Sequence, residues 1–132
     1  AKIYPDRQAA ISRFRLQPAQ TCANQFIVDH IARHSVEYLG EEDGWTWKFD
    51  EEHGSRMNRQ ADLESTLTAV TGKIALIYGE QSLSFNQKSA EYMEGLQPQL
   101  EVLLMKDAQH HLFLDQPLKF VETLTALLQR WA

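Results

Sequence analysis

The sequence predicts an α/β fold with parallel strands flanked by helices. A mainly helical segment is predicted to precede this part of the chain. Two continuous apolar runs, residues 74–78 and 100–105, are typical of strands buried on both faces of a sheet. Segments with helical spacing of apolar residues precede the first run, separate it from the second and follow the second. Because helices and strands alternate, we expect the two strands to run parallel, joined by a right-handed crossover.

The N-terminal part of the chain is predicted to be mainly helical. Pro5 and Asp6 are well placed to start a short helix that reaches Leu16, and Asn24 can cap a second helix. The apolar residues that would share one stripe of this second helix are Phe26, Ile27, Ile31 and Val36. Residues 45–49 then alternate apolar and polar side chains, which indicates a strand or an extended segment.

Helix boundaries in the C-terminal part are marked by proline and glycine. Residues 86–95 are predicted to form a helix that is closed by Gly95 and Pro98. Pro117 suits the first turn of the last helix, because its φ angle is already helical and it lacks an N–H group. The residues predicted to form the apolar face of that helix are Val121, Leu124, Leu128 and Trp131.

A polar tract at residues 50–60 is the best candidate for an internal boundary. It contains Gly54 and has no apolar periodicity, which predicts a loop or hinge. The chain contains no internal repeat and no low-complexity segment. We therefore expect two parts, residues 1–60 and residues 61–132.

Composition and charge exclude several classes of protein. With 43% hydrophobic and 23% charged residues, the chain has the composition of a globular domain. Its net charge of −5 comes from scattered acidic residues, which disfavours nucleic acid as a partner. The single cysteine, Cys22, cannot form an internal disulfide, and no apolar run reaches the roughly 18 residues that cross a bilayer. We expect a soluble, cytoplasmic protein that has no membrane partner and uses neither a cofactor nor a metal.

The two segments directly after the strands are the best places for chemistry. In an open parallel sheet, functional groups gather beyond the carboxyl ends of the strands. Residues 79–82 follow the first strand and contain Glu80, and residues 107–111 follow the second and contain His110 and His111. A carboxylate and a histidine at neighbouring strand ends are the orienting acid and the general base of a nucleophilic triad.

A recognisable pattern runs through residues 74–128. The first strand ends in Tyr-Gly-Glu, a helix and the second strand follow, and the stretch AQHHLFLDQP occupies residues 108–117. This pattern resembles the C-terminal end of the α/β-hydrolases. The resemblance implies that His110, the first histidine of the pair, is the catalytic general base, and that residues 115–117 begin the last helix. We expect His111 to have a structural role.

The N-terminal part adds to this resemblance. The stretches RFRLQP at residues 13–18 and GWTWKFD at residues 44–50 are similar to the cap insert of bacterial α/β-hydrolases. The resemblance implies that residues 1–60 are a cap or lid segment and that residues 61–132 are the C-terminal part of the hydrolase core. Trp45 and Trp47 are candidates for lining an acyl or alkyl substrate pocket, and plain packing of the cap is the alternative.

The nucleophile of this family is expected to lie outside the chain. It is a serine in a G-x-S-x-G turn between a strand and a helix, and none of the seven serines here has that context. The resemblance implies that the nucleophile, the oxyanion hole and the earlier strands precede Ala1. We expect the chain to supply the histidine of a serine hydrolase that cleaves an ester-like or related bond of a small molecule, and to be inactive alone.

The acid of the triad has two interpretations. Many α/β-hydrolases place Asp two residues after the Gly-Glu pair, and this chain has Ser82 there. Either the longer side chain of Glu80 reaches the histidine, or the acid follows the preceding strand, outside this chain. The serine also supports a different class of function, in which the protein is a non-catalytic relative that acts as a binding or interaction module.

Three further features have plainer interpretations. His30 and His34 stand four residues apart, a spacing that can hold zinc on a helix, but no third ligand is indicated and surface histidines are commoner. Cys22 is expected to be a semi-buried thiol rather than a nucleophile. Without the preceding strand, the strand at residues 74–78 has an unpaired edge, so we expect self-association through this edge.

Overall fold

The structure, a computed structural model, describes residues 2–41, 44–49 and 62–132. The chain divides into two compact units, of which the first contains Ala1–Ala19 and Asn24–Gln60 and the second contains Gln20–Ala23 and Ala61–Ala132. The predicted hinge at residues 50–60 lies outside the described residues. The assignment of residues 1–60 to a cap and of residues 61–132 to a hydrolase core stays a prediction.

In its described residues, the first unit has two helices and a small sheet. Its elements are α1 Arg7–Ile11, α2 Gln25–His34, β1 Val36–Gly40 and β2 Gly44–Trp47. The two strands pair antiparallel, with Val36 opposite Trp47, and this confirms the strand predicted within residues 45–49. Tyr4 adds a bridge to the sheet, since its N–H donates to Trp45 O at 2.8 Å and its O accepts from Trp45 N at 2.9 Å. Buried Tyr4, Ala10, Val36 and Trp47 form the core.

Helix α1 is shorter than the sequence predicts. Asp6 caps it, because its Oδ1 accepts a hydrogen bond from Ala9 N at 2.8 Å. The helix ends at Ile11 rather than near Leu16. Just beyond it, the Ser12 hydroxyl donates back to Ala9 O at 2.9 Å, a local bond of the kind that competes with continuation of a helix.

Helix α2 buries a different stripe from the predicted one. Val28 and Ala32, four residues apart, are its buried residues, whereas Phe26 is 70% exposed. The helix ends at His34, so Val36 belongs to β1 and not to the helical stripe. At this boundary the Ser35 hydroxyl donates to Ile31 O at 2.7 Å.

The second unit alternates helices and strands. Its elements are α3 Leu63–Thr68, β3 Ile74–Gly79, α4 Gln87–Leu96, β4 Leu100–Met105, α5 Leu112–Asp115 and α6 Pro117–Trp131. Strands β3 and β4 are parallel, in register from Ile74 opposite Leu100 to Gly79 opposite Met105. Both predicted strands and their parallel pairing are therefore confirmed. The one-turn helix α5 was not predicted.

The last helix begins at Pro117 as predicted, but its buried face is shifted by about one residue. Leu127 is buried, and Phe120 packs against the core formed by Met105, Ala108 and Leu112. Val121 and Leu128, which were predicted to face inward, are 59% and 52% exposed. A broad apolar surface on this helix allows more than one stripe at helical spacing, and contact with β4 and α5 selects the one that contains Phe120. No helix among the described residues is long and apolar enough to cross a membrane.

Candidate functional site

The segments that follow β3 and β4 lie against each other at one edge of the second unit. Glu80 N donates to Met105 O at 2.9 Å, and Gln81 N donates to Ala108 O at 2.9 Å. These bonds extend the pairing of the strands past their ends. The two polar segments singled out from the sequence are therefore neighbours in space.

Gly79 makes this close approach sterically feasible. A Cβ atom at this position would lie 2.1 Å from Gln109 O and 2.4 Å from Ala108 O, far inside van der Waals contact. Its φ angle does not fall in the left-handed region, so the demand for glycine comes from backbone proximity rather than from conformation. The absence of a side chain at Gly79 thus determines how closely the loop that carries His110 can approach β3.

His110 lies on that loop and is exposed at the rim of the sheet. Its Nδ1 atom is 3.3 Å from the Oγ atom of Ser82, in the turn that follows β3. The two side chains share the wall of a cavity of about 140 Å³, whose other lining is largely apolar and includes Phe85 and Leu112. No hydrogen bond to Nε2 of His110 is found within the described part of the chain. One ring nitrogen therefore faces a hydroxyl while the other remains available.

Glu80, the candidate acid, has a different neighbour. Its Oε2 atom accepts a hydrogen bond from Asp107 N at 3.4 Å, the long end of the range for such a bond. Across the described residues, no hydrogen bond joins Glu80 to His110. The structure thus brings Ser82, rather than Glu80, to the imidazole. The role of Glu80 as the catalytic acid stays a prediction.

Asp115 braces the histidine loop from the C-terminal side. Its Oδ2 atom accepts hydrogen bonds from Gln109 N at 2.7 Å and from Gln20 Nε2 at 3.2 Å. The Oε1 atom of Gln20 in turn accepts from His111 N at 2.7 Å. A half-buried carboxylate that accepts from the backbone N–H next to His110 fixes that backbone more firmly than a neutral acceptor would.

The segment at residues 20–23 completes this support, although it is remote in sequence. Gln109 Nε2 donates to Thr21 O at 3.0 Å, and the Cys22 thiol lies 3.6 Å from Leu114 O. Cys22 is half-buried, as the sequence predicted. His111 is also half-buried, and its ring stands perpendicular to that of His110 at a centroid distance of 5.2 Å. His111 and Cys22 thus both make contacts within the second unit, and the structural role of His111 stays a prediction.

The first unit contains a separate pocket of about 410 Å³ that Trp47 lines. Phe14 and Phe49 contribute aromatic walls, and the pocket is flanked by Arg13 and Arg15. Of the two tryptophans singled out from the sequence, Trp47 is thus a lining residue of this pocket.

Trp45 is not a lining residue of that pocket. Its ring packs 5.4 Å from that of Tyr38, and the Arg7 guanidinium lies 5.8 Å from its centroid. The structure therefore places the two tryptophans in different surroundings.

The histidine pair on α2 forms no larger cluster. The rings of His30 and His34 are 4.1 Å apart, and His34 Nδ1 lies 2.8 Å from His30 O. Among the residues that the structure describes, no group of three or more His, Cys, Asp or Glu side chains could hold a metal ion.

The contact between Ser82 and His110 is the feature of the site that sequence reasoning did not predict. The signal was present, because Ser82 occupies the position two residues after Glu80 where a carboxylate would face the histidine. The hydrogen bonds of Gln20 and Thr21 with the histidine loop had no such signal in the sequence. Nothing in their local sequence points to a loop about 90 residues away.

Comparison with known proteins gives the fold. No protein-family model matches the sequence, and no curated protein matches it significantly. The crystal structure of E-2-(acetamidomethylene)succinate hydrolase aligns with a TM-score of 0.70 at 15% identity, covering 98% of this chain and 47% of that chain. The thioesterase domain from the curacin biosynthetic pathway aligns with a TM-score of 0.61 at 18% identity, covering 94% and 43%.

The chain thus spans less than half the length of each of these two structures. Both are α/β-hydrolases, and the part matched is their C-terminal portion. The predicted resemblance is confirmed at the level of the fold: the chain has the architecture of the C-terminal part of an α/β-hydrolase, with parallel strands and flanking helices.

Proposed function

We propose that this chain is the C-terminal part of a serine hydrolase that cleaves an ester-like or related bond of a small molecule, with His110 as the general base. The observation that carries the proposal is the placement of His110. Its imidazole is exposed just beyond the last strand of the fold, with Nδ1 beside a hydroxyl and Nε2 available. Solved structures of the same fold include a hydrolase and a thioesterase domain, which are in line with this class of reaction.

In the proposed reaction, Nε2 of His110 takes the proton from a serine hydroxyl as that hydroxyl attacks the carbonyl carbon of the substrate. The same nitrogen then returns the proton to the leaving group as the bond breaks. The loop geometry supports this role because Gly79 leaves room for the backbone next to His110 and Asp115 accepts a hydrogen bond from Gln109 N in that backbone. A base must keep a fixed position to act within hydrogen-bonding distance of its partner.

The serine nucleophile is proposed to come from polypeptide outside these residues. None of the seven serines of the chain stands in a G-x-S-x-G sequence, which is needed to present a hydroxyl on a sharp turn between strand and helix. We therefore propose that the 132 residues by themselves do not turn over substrate. The small-molecule substrate would bind to the whole enzyme.

Substrate binding is the role proposed for the pocket of the first unit. Trp47, Phe14 and Phe49 provide an aromatic surface suited to an acyl or alkyl group. Trp45 is proposed to support this region by packing. We also propose a cytoplasmic location, with which the lone, half-buried Cys22 is compatible.

A second candidate function is a non-catalytic α/β-hydrolase relative that acts as a binding or interaction module. The specific observation in its favour is that a neutral hydroxyl, that of Ser82, stands beside Nδ1 of His110. A carboxylate there would stabilise the imidazolium that forms during catalysis, and a hydroxyl does so less.

Labelling of the full-length protein with a serine-directed phosphonate separates the two candidates. The hydrolase proposal predicts that the full-length protein is labelled, that His110→Ala abolishes rapid labelling and that His111→Ala, the adjacent matched control, leaves it within a few-fold. Absence of labelling in the unmutated full-length protein would overturn the hydrolase proposal in favour of the binding module. The 132-residue chain, tested in parallel, is expected to remain unlabelled.

A further inference from the structure

The turn that carries Ser82 is fixed on both sides. Ser82 N donates to Gly79 O at 3.1 Å, which closes the turn after β3, and the neighbouring Gln81 N is bonded to Ala108 O. Ser82 is half-buried, and its Oγ atom has no other hydrogen bond among the described residues. Its hydroxyl is therefore held beside Nδ1 of His110 by backbone bonds that do not depend on the histidine itself.

A neutral imidazole carries one proton, on either Nδ1 or Nε2. The hydrogen-bonding groups beside the ring determine which nitrogen carries the proton. A general base that acts through Nε2 needs this nitrogen unprotonated, so Nδ1 must carry the proton and donate it to an acceptor. At 3.3 Å the Ser82 hydroxyl is the group that the structure places beside Nδ1, and its oxygen can accept this proton, whereas the carboxylate of Glu80 is bonded to Asp107 N.

We infer that Ser82 is a positioning residue that holds His110 in its Nδ1–H form by accepting a hydrogen bond from Nδ1, so that Nε2 faces outward as a free base. The inference rests on the proposed function, because the need for an unprotonated Nε2 is what makes the Ser82 hydroxyl the acceptor rather than the donor in this contact. The protonation pattern itself can be measured in the chain without any assay of activity. Because the acceptor is neutral, the contact orients the ring without adding a charge beside it.

Nitrogen-15 NMR of the histidine side chains tests the inference directly. In protein labelled at the histidine ring nitrogens, two-bond correlations at a pH where the rings are neutral show which nitrogen carries the proton. The resonances of His110 are identified by their loss in His110→Gln. We expect Nδ1–H to be the major form of His110 in the unmutated protein.

Three serine substitutions separate positioning from a general structural effect. Ser82→Ala removes the acceptor, so the major form of His110 is expected to change to Nε2–H, the form that a free imidazole favours in water. Ser82→Thr keeps a hydroxyl and is expected to retain Nδ1–H. Ser84→Ala, an exposed serine two residues further along, is the matched control and should change nothing. Amide spectra of each variant report whether the fold is intact.

The outcome that would overturn the inference is a predominantly Nε2–H His110 in the unmutated protein, or an Nδ1–H form that survives Ser82→Ala. Should Ser82→Ala unfold, loss of the Nδ1–H form in Ser82→Thr would overturn it equally. Failure of the proposed hydrolase function has a different signature. In that case the full-length protein shows no phosphonate labelling, while the tautomer of His110 still responds to Ser82.

Discussion

The Oγ atom of Ser82 lies 3.3 Å from Nδ1 of His110, although 28 residues separate them in the chain. The contact exists because β3 and β4 are parallel neighbours in register, so that the segments after them leave the sheet at the same edge. Backbone bonds between the two segments then fix the spacing. The parallel pairing of β3 and β4 therefore positions the candidate site. Substitutions that disturb the backbone of the two segments should change the position of His110.

Replacing Gly79 by alanine tests the close approach of the two segments. A Cβ atom 2.1 Å from Gln109 O cannot be accommodated without backbone movement, so we expect a loss of about 1–3 kcal/mol in the free energy of unfolding. The His110 resonances should also shift. Gly95→Ala is the matched control, because Gly95 lies in α4 with no atom near its added Cβ, and it should raise stability by up to about 1 kcal/mol. Urea unfolding measures both. Equal effects would refute the steric argument.

Asp115 is expected to be the main polar support of the histidine loop. Asp115→Ala leaves Gln109 N and Gln20 Nε2 without their acceptor, at a cost of about 1.5–3 kcal/mol in the free energy of unfolding. Glu122→Ala is the control, since it breaks an exposed ion pair with Lys119 and should cost within about 0.5 kcal/mol. Chemical denaturation compares the two variants, and a small effect at Asp115 would contradict this account of the loop.

The cap of α3 gives a pH-dependent prediction. The hydrogen bond from Ser65 N to Oδ1 of Asp62, at 3.0 Å, holds the pKa of this carboxyl below its usual 3.8. Because the pKa is lower in the folded state, the stabilising contribution is present above about 3.8 and is lost as the pH falls through the folded-state pKa. The amide resonance of Ser65 should titrate with a midpoint below 3.8.

Asp62→Asn provides the control for that titration. Asparagine also caps a helix, so α3 should persist while the pH response of Ser65 disappears. A midpoint at or above the ordinary value, or a titration that survives the substitution, would show that the capping bond is not what Ser65 reports.

Self-association of the 132-residue chain is predicted from the edge of the sheet. Within the described residues, β3 pairs only with β4, and an open strand edge offers N–H and C=O groups for pairing with another chain. Leu104 on β4 adds apolar surface, as it is 48% exposed. Light scattering at micromolar concentration should report a dimer or a larger assembly. A monodisperse monomer would count against this prediction.

The elements with strong local signals were predictable, and those defined by tertiary contact were not. The continuous apolar runs of β3 and β4 and the proline at the start of α6 determined those elements correctly. Strand β1 was missed because Val36 continues the helical spacing of α2, and only its pairing with Trp47 makes it a strand. The buried face of α6 was misplaced because Val121 and Phe120 are adjacent apolar residues, and packing decides between them.

The candidate site divides in the same way. The positions of Ser82 and His110 after two parallel strands predicted that they would share an edge of the sheet. Distance and orientation were beyond the sequence, as they depend on the backbone approach at Gly79 and on the bracing by Gln20. Long-range polar contacts of this kind leave no periodic pattern in the chain.

Steady-state hydrolysis of an activated ester by the full-length protein tests the central claim most directly. If His110 is the general base, His110→Gln should lower kcat/KM by about a thousandfold or more, because the serine loses the group that takes its proton. His111→Gln, with its ring 5.2 Å away, should stay within a few-fold of the unmutated enzyme. Equal activity of His110→Gln and the unmutated enzyme would contradict the claim.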